Sequence, residues 1–278
     1  MIVLEHPAHV FTVGWHPEGH LVATGAADGA RIWDATTGQQ LRHIDGDDVT
    51  AVACSRTLWT TGNPDGKVQI LDGSDLVATL EGTAFAWQPD GTRLAVAHED
   101  HVSLWNATTG QMVPGFDLAR PATALAWSPD GRRLIAGGTS WQGGQVTDLG
   151  HSGQLNSLSF SPDGARYVTS SHGHSAPVRD SSTGEQVLAL DHGESWFVGV
   201  AWSPRGDCIV TGSTDRHLRF FHPETGELLR TVAHPDWVCT VAFNPSGTHL
   251  AITIDDDAAH VLRPFTSVSG GKVQPCWT

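Results

Sequence analysis

A short apolar stretch that ends in an aromatic residue and runs into Pro-Asp-Gly, or a close variant of it, recurs six times along the chain. The copies are Trp15-His16-Pro17-Glu18-Gly19, Trp87-Gln88-Pro89-Asp90-Gly91, Trp127-Ser128-Pro129-Asp130-Gly131, Phe160-Ser161-Pro162-Asp163-Gly164, Trp202-Ser203-Pro204-Arg205-Gly206 and Phe243-Asn244-Pro245-Ser246-Gly247. A period of about 40 residues marks a repeat architecture and governs every later inference. Proline presets φ at the second turn position and glycine takes the φ > 0 position, so each copy reads as a strand closed by a hairpin turn. A seventh copy lies between the first two. Val49-Thr50-Ala51-Val52-Ala53-Cys54 matches the strand, and a shortened turn, Ser55-Arg56-Thr57, precedes the strand that resumes at Leu58.

Punctuation inside each unit is also regular. A second strand such as Leu21-Val22-Ala23-Thr24 leads into an Asp-bearing turn (Asp28-Gly29, Asp65-Gly66, Asp100, Asp215), and a third ends in Ile32-Trp33-Asp34, Ile70-Leu71-Asp72 or Leu104-Trp105-Asn106. A Thr-Gly turn follows at Thr37-Gly38, Thr109-Gly110, Thr183-Gly184 and Thr225-Gly226, then a fourth apolar strand such as Glu227-Leu228-Leu229-Arg230. Four short strands per unit, with turn signals about every 8 to 12 residues, exclude a helical repeat and point to an all-β fold: a seven-bladed β-propeller of four-stranded antiparallel blades.

The Trp33-Asp34 pair, the Gly150-His151 pair opening the fifth unit, the Pro-Asp-Gly turns and the Thr-Gly turns resemble those of the WD-repeat family of seven-bladed β-propellers, over residues 1–265. The resemblance implies a structural hydrogen-bond set in each well-formed blade: His from the Gly-His position, Ser or Thr from the second strand, Asp from the turn and Trp from the third strand. His6, Thr24, Asp28 and Trp33 match it in unit one. His151, His192 and His234 match the His position elsewhere, but Leu71, Arg179, Phe221 and Arg263 stand near the Trp position of units two, five, six and seven. The family pattern also implies that the N-terminal strand, Met1-Ile2-Val3-Leu4, closes the last blade. Lys272-Val273-Gln274 competes for that role, residues 266–278 being otherwise a C-terminal tail. Phe160 follows Trp127 by only 33 positions, and Gly137-Gly138 and Gly143-Gly144 crowd the interval, so the fourth blade is expected to be short or three-stranded.

Composition narrows the function classes. Sixteen Lys and Arg face thirty Asp and Glu, a net charge of -14, which argues against general binding to nucleic acid or to an anionic membrane surface. No run approaches the roughly 20 apolar residues of a membrane helix. The four cysteines lack CxxC spacing and Met1 to Val10 lacks the basic-then-apolar order of a signal peptide, so a reduced, cytoplasmic monomer is expected. No GxSxG, HExxH, P-loop or GxGxxG motif is present, and no catalytic residue, cofactor or metal is assigned. His101, His172, His174 and His217 fall in second-to-third-strand turns on one face, where they could converge with Asp256 at the channel mouth. That convergence would support an alternative: a small-molecule- or metal-binding propeller, or an enzyme.

Eleven tryptophans stand against a single tyrosine. Trp15, Trp87, Trp127 and Trp202 share the first-strand position with Phe160 and Phe243, and Trp33 and Trp105 hold the third-strand position, so these belong to the core. Trp59, Trp141, Trp196, Trp237 and Trp277 are left. Counting back six residues from the end of each first strand gives one inter-blade position per unit: His9, Asp48, Glu81, Pro121, Gln154, Trp196 and Trp237. In the family this loop lies on a face that often contacts partners. The repeat asks for no aromatic there, and Trp is enriched at the energetic centres of interfaces. Trp196 and Trp237 are therefore the candidate partner-binding residues, with His9, Asp48, Glu81 and Gln154 as a polar and acidic flank. The expected function is a non-catalytic scaffold presenting a rigid face to a protein or peptide.

Overall fold

The computed structural model describes residues 1–150, 155–171, 175–191 and 196–263. They form seven four-stranded antiparallel sheets. Blade one comprises Val10–Trp15, Leu21–Ala26, Gly29–Asp34 and Gln40–Asp45; blade two, Ala51–Cys54, Leu58–Gly62, Lys67–Asp72 and Asp75–Glu81. Blade three is Ala84–Trp87, Arg93–Ala97, His101–Asn106 and Met112–Asp117; blade four, Leu125–Trp127, Arg133–Ala136, Thr139–Gln142 and Gln145–Asp148. Blade five is Ser157–Phe160, Arg166–Ser170, Ser175–Asp180 and Gln186–Asp191; blade six, Phe197–Trp202, Ile209–Ser213, His217–Phe221 and Leu228–Ala233. Blade seven takes Val238–Phe243, Leu250–Ile254 and Ala258–Leu262, and its outer strand is Ile2–Glu5, with Leu4 opposite Ala259 and fully buried. The first strand of each blade packs against the first strands of both neighbours, and blade seven returns to blade one, so the sheets form a ring. Lys272–Gln274 lies outside the described residues.

Strand direction alternates, so the inter-blade loops share one face with the second-to-third-strand turns. The Pro-Asp-Gly and Thr-Gly turns share the other. There the six turn glycines, Gly19 to Gly247, adopt φ of 66 to 79°, which a side chain would strain. The turns stack from blade to blade, Gly164 against Pro129 and Gly206 against Pro162. The residue after the third-strand aromatic position caps the next turn: Asp34 Oδ1 accepts the amides of Thr36 and Thr37 at 2.8 Å, and Asn106 and Asp180 do the same for their own turns. The Ser182 hydroxyl and the Thr183 amide hold the Asp180 carboxyl down at about 2. First-strand tryptophans fasten adjacent blades, Trp15 Nε1 donating to the Ala242 carbonyl at 2.8 Å and Trp127 Nε1 to the Ala86 carbonyl at 3.1 Å.

Blade four has all four strands, which removes the three-stranded alternative, but they are short. Ala136 pairs with Thr139 across Gly137-Gly138, two glycines at positive φ standing where blade one has the six residues Gly25 to Ala30. Those missing residues shift the count along this unit. Trp141, opposite Leu134, holds the third-strand Trp position, packed edge-on against Trp127 and stacked on Phe116. In blade seven the same position is Leu262, opposite Leu250, and not Arg263.

Blade one builds the hydrogen-bond set with one change. Trp33 Nε1 donates to Thr24 Oγ1 at 2.8 Å, and His6 Nε2 meets the same oxygen at 2.9 Å. Asp28 does not reach His6; its two oxygens take Arg31 at 2.7 and 2.6 Å, and Arg31 Nη1 lies 3.2 Å from His6 Nδ1. A guanidinium can only donate, so Nδ1 accepts and Nε2 carries the proton toward Thr24. Burial, reinforced by Arg31, lowers His6 to about 4 and keeps the ring neutral at pH 7.

Candidate functional site

Trp196, Trp237 and His9 occupy one position on three consecutive blades. Their carbonyls accept the amides of Thr214 at 3.2 Å, Asp255 at 2.9 Å and Ala27 at 3.0 Å respectively. This repeated bond ties each of the three residues to the second-to-third-strand turn of its own blade, which sets where the side chain leaves the backbone. Trp196 and Trp237 are 54% and 46% exposed, whereas Trp33, Trp105, Trp127 and Trp202 are buried. Each ring leaves about half its surface uncovered by the chain, so these two stand apart from the core set.

The ground around Trp237 and His9 is acidic. The Trp237 amide donates to Asp236 Oδ1 at 2.8 Å, and His9 Nε2 lies 3.3 Å from Asp255 Oδ1 with its ring edge-on to Phe11 at 5.0 Å. Arg216, at φ +68°, donates to the Pro235 carbonyl and sits 3.9 Å from Asp236. Burial pushes the Cys239 thiol up to about 11, and the carboxylates of Asp255, Asp236 and Asp256 add to the shift. An aromatic pair framed by carboxylates suits an apolar anchor flanked by cationic groups on a partner.

The remaining candidates divide. Asp48, exposed at φ +46°, donates its amide to the Ala27 carbonyl at 3.1 Å and so leans on the turn of blade one. Glu81 is not a loop residue. It ends the outer strand of blade two opposite Lys67, because only Gly82 and Thr83 separate it from blade three and the six-residue count falls back into the strand. It lines an open depression of about 770 Å³ with Asp65, Lys67, His98, Glu99 and Asp100. Gln154 lies outside the described residues. The structure thus sets Trp196, Trp237 and His9 at equivalent positions of consecutive blades, puts Asp48 on the turn of blade one and leaves Glu81 on an outer strand beside a separate depression. Asp236 and Arg216 join the site without having stood out in the sequence, although the Asp236-Trp237 dipeptide carries the signal.

The described histidines of the channel reading, His101 and His217, are engaged locally. His101 Nδ1 meets Asp100 at 2.8 Å and its ring stacks on His98 at 4.2 Å, while His217 Nδ1 meets the Asp215 carbonyl at 2.8 Å. Asp256 Oδ1 accepts the Ala258 amide, and its other oxygen lies 3.9 Å from His260. His151, His172, His174 and His192 lie outside the described residues. Among the described residues no group of three or more His, Cys, Asp or Glu is placed to hold a metal ion.

Comparisons with known proteins agree with this architecture. The chain matches the family described as WD domain, G-beta repeat over residues 2–34, 143–180, 184–222 and 226–259, just over half its length, and the Anaphase-promoting complex subunit 4 WD40 domain over residues 56–130. It is 24% identical over 87% of its length to Protein HIR1 of Eremothecium gossypii, and 25% identical over 97% to the guanine nucleotide-binding protein subunit beta of Nicotiana tabacum. WD repeat-containing protein 1 of Gallus gallus is 25% identical over 83% of the chain. The chain spans 28%, 66% and 36% of these three relatives respectively. With seven four-stranded blades in a closed ring and the repeat pattern matched across most of them, the chain belongs to the WD-repeat family of β-propellers.

Proposed function

We propose that the chain is a rigid protein-binding scaffold whose Trp196, Trp237 and His9 face receives a protein or peptide segment carrying positive charge. The observation that carries this reading is the pair of half-exposed tryptophans at one position of adjacent blades, bordered by Asp236 and Asp255. The backbone carbonyls of all three residues are already hydrogen-bonded, and the indoles supply apolar area at low entropic cost. The carboxylates steer a cationic partner and speed encounter, which makes the association weaken as salt rises. The names of two similar proteins, a subunit of the anaphase-promoting complex and the beta subunit of a guanine nucleotide-binding protein, describe members of larger assemblies and favour the same reading.

Affinity capture followed by quantitative mass spectrometry tests it, comparing the native chain with Trp196→Ala/Trp237→Ala and with Asp130→Ala/Asp163→Ala on the opposite face. A partner enriched by the native chain and by the opposite-face variant, and lost from the double Trp variant at unchanged melting temperature, supports the proposal. Equal capture by all three contradicts it.

A further inference from the structure

Blade seven carries residues at every place of the hydrogen-bond set of blade one, yet the set cannot form. His234 stands at the His6 position, its amide donating to the Arg216 carbonyl at 2.8 Å as the His6 amide donates to Asp257 at 2.9 Å. Ile252 stands where Thr24 does, opposite Val241 in one strand pair and His260 in the next, so the shared hydroxyl is gone. His260 replaces Arg31 and reaches Asp256 only to 3.9 Å, beyond hydrogen-bond distance. Leu262 replaces the indole of Trp33. Nε2 of His234 and both ring nitrogens of His260 are consequently buried without a hydrogen-bond partner. Such groups cost free energy unless something satisfies them.

The lost indole leaves space as well as loose polar atoms. In blade one the cleft toward blade seven is filled by Trp33, packed with Leu4, Val22, Ala251 and Val261. The next cleft around the ring, between blades six and seven, holds instead a cavity of about 530 Å³. That volume lies within the roughly 300–1,000 Å³ usual for small-molecule sites. Its walls are Leu218, Phe220, Val232, Ile254 and Leu262, with His234 and His260 inside and Arg230 and Arg263 also lining it. Two arginines on one mostly apolar cleft are conspicuous in a chain of net charge -14. Asp256 faces His260 and repels an anion from that side, which leaves the arginine end as the place for negative charge.

We propose that this cleft binds a small aromatic monocarboxylate. Its ring takes the volume that an indole fills in blade one, its carboxylate pairs with Arg230 and Arg263, and a polar ring atom, such as an indole N–H, meets the imidazoles of His234 and His260. No bond is made or broken; the site is a receptor pocket, and its lining includes neither Trp196 nor Trp237.

Isothermal titration with indole-3-acetate, with neutral 3-methylindole as its control, tests the assignment on the full chain. Saturable one-to-one binding of the acid in the micromolar to low-millimolar range is expected, at least tenfold tighter than 3-methylindole. Leu262→Trp with Ile252→Thr rebuilds the blade-one set and should abolish that binding while raising the melting temperature. Should that variant fail to fold, Arg230→Gln/Arg263→Gln at the rim should weaken the acid tenfold or more and leave 3-methylindole unchanged. Absence of saturable binding of the acid overturns the site. Equal affinity for acid and neutral probe, or rim variants that bind the acid as the native chain does, overturns the carboxylate assignment.

Discussion

The carbonyl of Trp237 accepts the amide of Asp255 at 2.9 Å, and Trp196 and His9 repeat that bond with Thr214 and Ala27 on the flanking blades. The bond uses only backbone atoms at the Trp end, so it survives replacement of either indole. Replacing Trp196 or Trp237 by Ala should change the unfolding free energy by no more than about 0.5 kcal/mol each, the range of exposed positions. Urea denaturation checks this. A loss above about 2 kcal/mol would make the two rings structural and remove them from the proposed face.

Thr24→Val removes the hydroxyl that both Trp33 Nε1 and His6 Nε2 use while keeping side-chain shape. Two buried donors are then left without an acceptor, at a cost of about 2–4 kcal/mol. Ile252→Thr, at the equivalent place in blade seven, should not cost stability, because His234 already lacks a partner there. The two variants measured side by side distinguish a cooperative set from simple packing.

Acid sensitivity follows from His6, whose pKa falls from 6.5 to about 4 through burial and the nearby Arg31 charge. Above pH 6.5 the ring is neutral in both folded and unfolded chains and the contribution is complete. Between pH 6.5 and about 4 the unfolded chain binds a proton that the folded one refuses, so stability declines by on the order of 3 kcal/mol as pH falls through that window. His6→Gln should flatten this part of the stability profile, and the difference between the two profiles isolates the histidine from the carboxylates that titrate at lower pH.

The first-strand tryptophans separate by their N–H groups. Trp127 Nε1 donates across the blade boundary at 3.1 Å, whereas Trp202 Nε1 is buried with no hydrogen-bond partner. Trp127→Phe should therefore cost about 1 kcal/mol more than Trp202→Phe, the net worth of one buried hydrogen bond. Equal losses would show that ring volume alone governs this position.

Blade count, strand order and turns are readable from the chain because each rests on residues that act locally. Gly131 holds positive φ within its own turn, and Asp34 caps Thr36 and Thr37 two and three residues on. Counting fails where chain is missing. Two glycines stand for six residues in blade four and hide the role of Trp141, and the short link after Glu81 moves that residue from loop to strand. Asp28 departs from the family pattern because Arg31, three residues on, takes the carboxylate with two hydrogen bonds, and proximity with charge outweighs a distant imidazole. Trp196 and Trp237 are visible as exceptions to the repeat. The blade-seven cleft is not, since it arises from what Ile252 and Leu262 lack, and such absences gain meaning only when blades are superposed by register.

Hydroxyl-radical footprinting of the captured complex against the free chain tests the binding face most directly. Oxidation of Trp196 and Trp237 should fall at least severalfold in the complex, while exposed Met112, on the outer strand of blade three, keeps its rate. Unchanged oxidation of both tryptophans alongside protection elsewhere would contradict the account.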